Sequence, residues 1–132
     1  MFRVDDGFYD SLKVKSIPRG AARKGAIALW TFAGSWSDKH SQDGLIPAGQ
    51  VEELGGTRKE ADWLLTSELW HDENHPCPRD PDDEKKPCPP VPRGYYLFHD
   101  YGDWNDLKID KDKRRAATRE RMRKLRNGEG TK

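Results

Sequence analysis

The sequence predicts an α+β fold: a three-helix core, a two-stranded hairpin and a basic C-terminal helix. Three observations predict it. A helical apolar stripe runs from Ala21 to Trp36, two short helical segments follow it around Gly55-Gly56-Thr57, and two extended segments flank a proline-rich stretch before a run of arginines.

Composition bounds the answer first. A chain of 132 residues with 33% apolar and 36% charged residues supports one modest core, with part of the chain solvated. Five tryptophans give that core large surfaces to bury. The net charge of +1 hides an asymmetry: Met1 to Leu107 carries 13 Lys/Arg against 19 Asp/Glu, a balance of −6, whereas Lys108 to Arg126 carries 10 basic against 3 acidic residues, a balance of +7. The predicted organisation is therefore a body over 1–107, with a proline-rich wing loop at 76–93, and a basic helical tail over 108–132, partly disordered. A basic tail on a small body points to a polyanionic partner; the plainer alternative is a solvated surface helix. No apolar run approaches the ~18 residues of a membrane span, and the start has no secretory core. The expected compartment is the bacterial cytoplasm, where two cysteines are thiols or metal ligands before they are a structural disulfide.

Each element follows from its residues. Phe2-Arg3-Val4 reads as a short strand, Asp5-Asp6-Gly7 as an acidic turn and Phe8 to Ile17 as a weak helical segment, broken by Pro18-Arg19-Gly20. From Ala21 to Trp36, Ala22, Ala26, Leu29, Trp30 and Ala33 form one apolar stripe, widened by Ile27, Phe32 and Trp36. Polar Ser37 to Gly44 ends it, and Leu45-Ile46 reads as a strand. Pro47 suits the first turn of a second helix reaching Leu54, with Val51 and Leu54 inward. Gly55-Gly56 stops it where a positive φ is cheap. Thr57 then caps a third helix, Arg58 to Leu69, with Glu60 completing a capping box. Ala61, Leu64, Leu65 and Glu68 share one face. Leu69-Trp70-His71 enters an extended segment, and Pro76 to Pro92 holds seven of the nine prolines, which excludes helix and central strand. Gly94 to Tyr101 is rich in aromatic and β-forming residues and reads as the returning strand. Ile109 to Arg126 is helix-permissive, but Ala116, Ala117, Met122 and Leu125 are too few to pack it. It is expected to extend from the body or to form on binding.

Strand, helix, helix, tight turn, helix, hairpin is the order of a winged helix-turn-helix. Val4-Asp5-Asp6, Lys13-Val14, Ala33-Gly34-Ser35-Trp36, Asp43-Gly44-Leu45-Ile46-Pro47, Gly55-Gly56-Thr57, Leu69-Trp70 and Phe98-His99-Asp100-Tyr101 occur in sequence before an Arg-rich helix. This ordered string, over about residues 1 to 126, resembles helix-turn-helix proteins of actinobacterial phages, which are similar to the N-terminal domains of phage replication initiators, or replisome organizers. The resemblance implies a winged-helix fold and a role around phage DNA, in replication or transcriptional control. It implies no catalytic residue. The chain departs from the pattern at Glu68, where a small residue is usual, and in the acidic insert Arg79 to Lys86.

Two groups of residues carry candidate chemistry. In a helix-turn-helix the second helix lies in the major groove with its N-terminal residues nearest the bases. That places Thr57, Arg58, Lys59, Asp62 and Thr66 toward DNA, although Glu60, Asp62 and Glu68 leave the helix nearly neutral. In the tail, Arg114, Arg115, Arg119, Arg121, Arg123, Lys124 and Arg126 surround the helix and can track phosphates without reading sequence. The tail could equally bind an acidic protein or its own acidic body. His71, His75, Cys77 and Cys88 form the second group: four ligands suited to structural Zn²⁺, which would close a long loop poor in apolar contacts. Two free thiols with two surface histidines, or a Cys77–Cys88 disulfide formed in air, are the alternatives. Trp63 is expected part-buried at the core edge, or else an anchor for a partner or a homodimer.

His99 and Asp100, adjacent in a strand, should face opposite ways and make a poor catalytic dyad. No nucleotide loop, nucleophile elbow or metalloprotease signature is present, and a nuclease would rest only on scattered carboxylates. The expectation is a double-stranded DNA-binding protein, not an enzyme. The alternative is a docking module for a host or replication protein, using Trp63 and the acidic loop Asp80 to Glu84.

Overall fold

The computed structural model describes residues 1–105 and 107–130; Asp106 and the last two tail residues, Thr131 and Lys132, lie outside them. A 3₁₀ turn over Phe8–Asp10 and a short helix α1 (Leu12–Lys15) lead into the long helix α2 (Ala21–Lys39). Then come β1 (Leu45–Pro47), α3 (Gln50–Glu53), α4 (Arg58–Thr66), β2 (Trp70–His71), β3 (Tyr95–Phe98), α5 (Tyr101–Trp104) and α6 (Lys108–Gly130). The fold is mixed α+β, with one three-stranded antiparallel sheet in the order β1-β3-β2 and a C-terminal helix. Among the described residues no helix is long and apolar enough to cross a membrane.

The apolar stripe of α2 does what its spacing predicts. Ala26, Leu29, Trp30 and Ala33 are buried and pack on Ala61, Leu64 and Leu65 of α4 and on Trp70, Phe98 and Tyr101 behind them. Trp30 stacks on Phe8 at 4.3 Å and meets Phe2 and Phe98 at 5.0 and 5.6 Å, an aromatic cluster that gives a small core much of its buried area. Phe32, expected on this stripe, is instead 56% exposed. The helix also runs three residues beyond Trp36, through Lys39. Buried Ser37 explains the extension: its hydroxyl accepts from Gly44 N–H (2.9 Å) and donates to the Leu45 carbonyl (3.0 Å), pinning the end of α2 to β1.

Other boundaries shift for local reasons. Phe2-Arg3-Val4 is not a strand, because the Phe2 ring is drawn into the aromatic cluster and Arg3 N–H donates to the Asn105 side chain (2.7 Å). Pro47 belongs to β1, an edge strand where a missing N–H is tolerated, and α3 begins three residues later. Gly55 has the positive φ (83°) that its place after α3 requires. Thr57 and Glu60 form the predicted capping box. The third helix, however, ends at Thr66. Glu68 takes a left-handed φ of 64°, and Glu68 N–H and Leu69 N–H donate back to the Leu65 and Leu64 carbonyls, a Schellman closure. Glu68 is therefore exposed and off the apolar face. The returning strand is shorter than Gly94 to Tyr101 for the same kind of reason: Asp100 is left-handed (φ 52°), and Tyr101 already starts α5.

Candidate metal centre

The sheet register builds the site. β2 and β3 pair His71 with Leu97, and His99 N–H donates to the Leu69 carbonyl (2.9 Å). His71 and His99 are thus diagonal neighbours on one face of the pair, within reach of each other's rings. The proline-rich loop between the strands returns two thiols to them. Each cysteine lies between prolines, Pro76-Cys77-Pro78 and Pro87-Cys88-Pro89, which hold it extended.

One ligand atom from each of His71, Cys77, Cys88 and His99 lies within 4.8 Å of all the others. His99 Nδ1 sits 2.8 Å from His71 Nε2, 3.4 Å from Cys88 Sγ and 3.8 Å from Cys77 Sγ. Tetrahedral zinc with Zn–N near 2.0–2.1 Å and Zn–S near 2.3 Å needs about 3.3 Å between nitrogens and about 3.6 Å between nitrogen and sulfur. The group therefore has the composition to hold a metal ion such as zinc; closing on it would part the two rings by about half an ångström and draw the widest pair, up to 4.8 Å apart, inward. Both cysteines are reduced and half-buried, and His71 is buried.

A second layer of contacts orients these ligands. His99 Nε2 lies 3.0 Å from Asp100 Oδ2, while Arg79, from the loop, donates to both Asp100 oxygens (2.8 and 2.7 Å) and to the Lys86 carbonyl (3.1 Å). Arg79 Nη2 also lies 3.2 Å from His99 Nε2. Burial, then nearby Lys13, pushes His99 down to about 4 and lowers His71 as well. Burial raises the Cys88 thiol. Asp100 feels an upward push from burial, but hydrogen bonds from Arg79 outweigh it and hold its carboxyl below the usual range.

The predicted ligand set needs one exchange. The His75 ring lies outside the group, its Nδ1 on Asp72 Oδ1 (2.8 Å) in a tight turn closed by Asp72–His75 backbone bonds. His99 stands in its place. The sequence signal that could have found it is the hairpin itself, since a histidine at each mouth of one loop must meet across the pair. The opposite-face argument for His99 and Asp100 also fails, because left-handed Asp100 breaks the strand alternation and brings its carboxylate back to the ring.

The other predicted site residues stay apart from this group. Thr57, Arg58, Lys59, Asp62 and Thr66 are all exposed on α4. In α6, residues 112–127 are exposed without exception, including Arg114, Arg115, Arg119, Arg121, Arg123, Lys124 and Arg126. Arg123 pairs with Glu120 (2.6 Å) and Arg115 lies 3.9 Å from Asp112. Trp63 is half-buried at the core edge, its Nε1 buried with no hydrogen-bond partner. Comparison with protein-family models, with curated proteins and with solved structures finds no match to this chain.

Proposed function

We propose that the chain is a double-stranded DNA-binding protein with a winged-helix body stapled by structural zinc. The observation that carries the binding is α6: sixteen successive exposed residues, 112–127, rich in arginine on a helix that the core does not need. A helix with no buried face is not explained by packing, and a cation-rich cylinder fits a phosphate backbone. The element order, with α3 and α4 joined by a tight turn and β2 and β3 bracketing a long loop, supports the winged-helix reading. The phage setting, in replication or transcriptional control, rests on the sequence resemblance alone.

The zinc reading rests on the convergence of four ligand atoms, two imidazole nitrogens and two thiol sulfurs, within 4.8 Å of one another at the mouth of one loop. The Asp100 carboxylate, 3.0 Å from His99 Nε2, would orient that ring toward a metal. Four protein ligands make a closed site that staples the loop and leaves no position to activate water.

Fluorescence anisotropy with a labelled duplex at two salt concentrations tests the function. The full chain should bind and weaken with salt, and a quadruple variant with Arg119, Arg121, Arg123 and Arg126 changed to Gln should lose most of the affinity. No binding at low salt would remove the DNA reading and leave the docking module in its place. Metal analysis of protein purified without chelator should give one zinc per chain; less than about 0.2 equivalents would sink the structural site.

A further inference from the structure

The proposed DNA binding needs a place on the body where phosphates sit, and the charge map offers two. The first is the start of α4, as a helix-turn-helix would use it. Arg58 there lines a cleft of about 460 Å³ whose other charged residues are Glu52, Asp72 and Glu73. One cation faces three carboxylates, so a phosphate entering it meets net repulsion. The second lies where α6 leaves the body. A cleft of about 1020 Å³ opens between the first turns of α6, the C-terminal end of α2 and the N-terminal segment. Arg3, Lys39, Lys111, Arg114, Arg115 and Arg119 line it, against Asp38 and Asp112.

Not all of that charge faces a ligand. Asp38 is buried and already satisfied: Lys111 Nζ donates to its carboxylate (2.9 Å) and its carbonyl (2.7 Å), Tyr101 OH donates to Oδ1 (3.3 Å), and the Met1 amine lies 2.9 Å from Oδ2. Lys111 is thus an anchor that fixes the angle at which α6 departs. Asp112 is 56% exposed and 3.9 Å from Arg115, an exposed pair that holds little. Lys39, Arg115 and Arg119 remain as exposed cations on two walls of one concave surface, held in register by the Asp38–Lys111 pair.

The two places are far apart. Gly25 of α2 lies against Glu60 in the first turn of α4, and Asp38 against Lys111 in the first turn of α6. Thirteen residues of α2 separate them, about 20 Å at 1.5 Å per residue. They are separate surfaces at opposite ends of one helix.

Resting on the DNA-binding reading, we infer that the cleft between the end of α2 and the start of α6 seats the phosphodiester backbone of nucleic acid through Lys39, Arg115 and Arg119, and that this seat, not the start of α4, supplies the electrostatic affinity. Concave walls of net positive charge focus field on a ligand more than an exposed helix face does. Lys39 is the residue this adds to the arginines of α6: it approaches from the opposite wall.

The test uses the full-length chain, a labelled duplex of mixed sequence and two double variants that each remove two exposed charges. Lys39→Gln with Arg119→Gln alters the cleft; Arg58→Gln with Lys59→Gln alters the start of α4. The cleft pair should weaken binding about tenfold at 0.1 M salt and make the salt slope shallower by about two. The α4 pair should cost less than about twofold. Equal losses, or a larger loss from the α4 pair, overturn the seat while leaving DNA binding intact. A wild-type chain that binds no duplex overturns the underlying reading and the seat with it. Displacement of the duplex by poly-glutamate at equal charge concentration overturns the nucleic-acid assignment in favour of an acidic protein.

Discussion

The exchange of His75 for His99 turns on backbone geometry, not on ligand chemistry. Strand register sets His99 beside His71, left-handed Asp100 just past β3 turns its carboxylate onto the His99 ring, and the Asp72–His75 turn carries the His75 ring away. His99→Ala or Cys88→Ser should therefore lose zinc by metal analysis, whereas His75→Ala should retain a full equivalent. Zinc loss in His75→Ala with retention in His99→Ala would return the ligand set to the one the sequence suggested. The other left-handed residue near the site, Glu68, reaches the site only through space, its exposed carboxylate acting on Lys13 and His71. Its backbone carbonyl accepts from Lys13 Nζ (3.3 Å), a contact any residue keeps. Glu68→Gly should raise stability by about 0.5–1 kcal/mol in thermal or urea unfolding, since glycine takes positive φ without the Cβ penalty. Unchanged stability would mean that the extra freedom of the unfolded glycine cancels the gain.

Among the elements, α4 and α6 stand at opposite extremes. Capping and burial together make α4: Thr57 and Glu60 satisfy its first N–H groups, and Ala61, Leu64 and Leu65 fasten it to α2. Thr57→Ala removes the side-chain acceptor of the Glu60 N–H and should cost about 1 kcal/mol of unfolding free energy. A change below about 0.3 kcal/mol would show that packing alone holds the helix start. The arginine face of α6 has no such role in the fold, so the quadruple glutamine variant should keep the wild-type melting temperature while losing DNA. The first turn of α6 is tied down by Lys111 on Asp38 and by Lys108 N–H on Asp43 (2.6 Å). This division was legible in the sequence, because apolar spacing distinguishes a packed helix from an unpacked one before any contact is known.

The whole molecule depends on Asp38, where the N-terminal segment, α2, α5 and α6 meet. Burial pushes the Asp38 carboxyl up, but hydrogen bonds from Lys111 and the Met1 amine outweigh it and hold it below its ordinary value. A carboxylate depressed on folding contributes stability that is present above its unfolded pKa, about 3.9, and lost as pH falls through the folded value. Stability should therefore decline below about pH 4, and Asp38→Asn should lower the melting temperature at pH 7 while flattening that decline. An acid limb of unchanged slope in Asp38→Asn would place the titrating group elsewhere.

The sequence by itself determined the helices with strong periodicity, the capping box, the brief β1 strand, the unpacked basic helix and the chemistry of a Cys/His group in the proline-rich loop. Each of these is written in neighbours a few residues apart, where spacing, caps and φ preferences act. Tertiary structure decided the rest. Which histidine joins the thiols depends on strand register, a pairing of residues 28 apart in the chain. The length of α2 depends on a Ser37 hydroxyl meeting Gly44 and Leu45 across a turn. The basic cleft depends on Lys111 reaching back 73 residues to Asp38. In each case a long-range hydrogen bond or ion pair, available only once the core has closed, overrides a local preference worth less than the contact it gains.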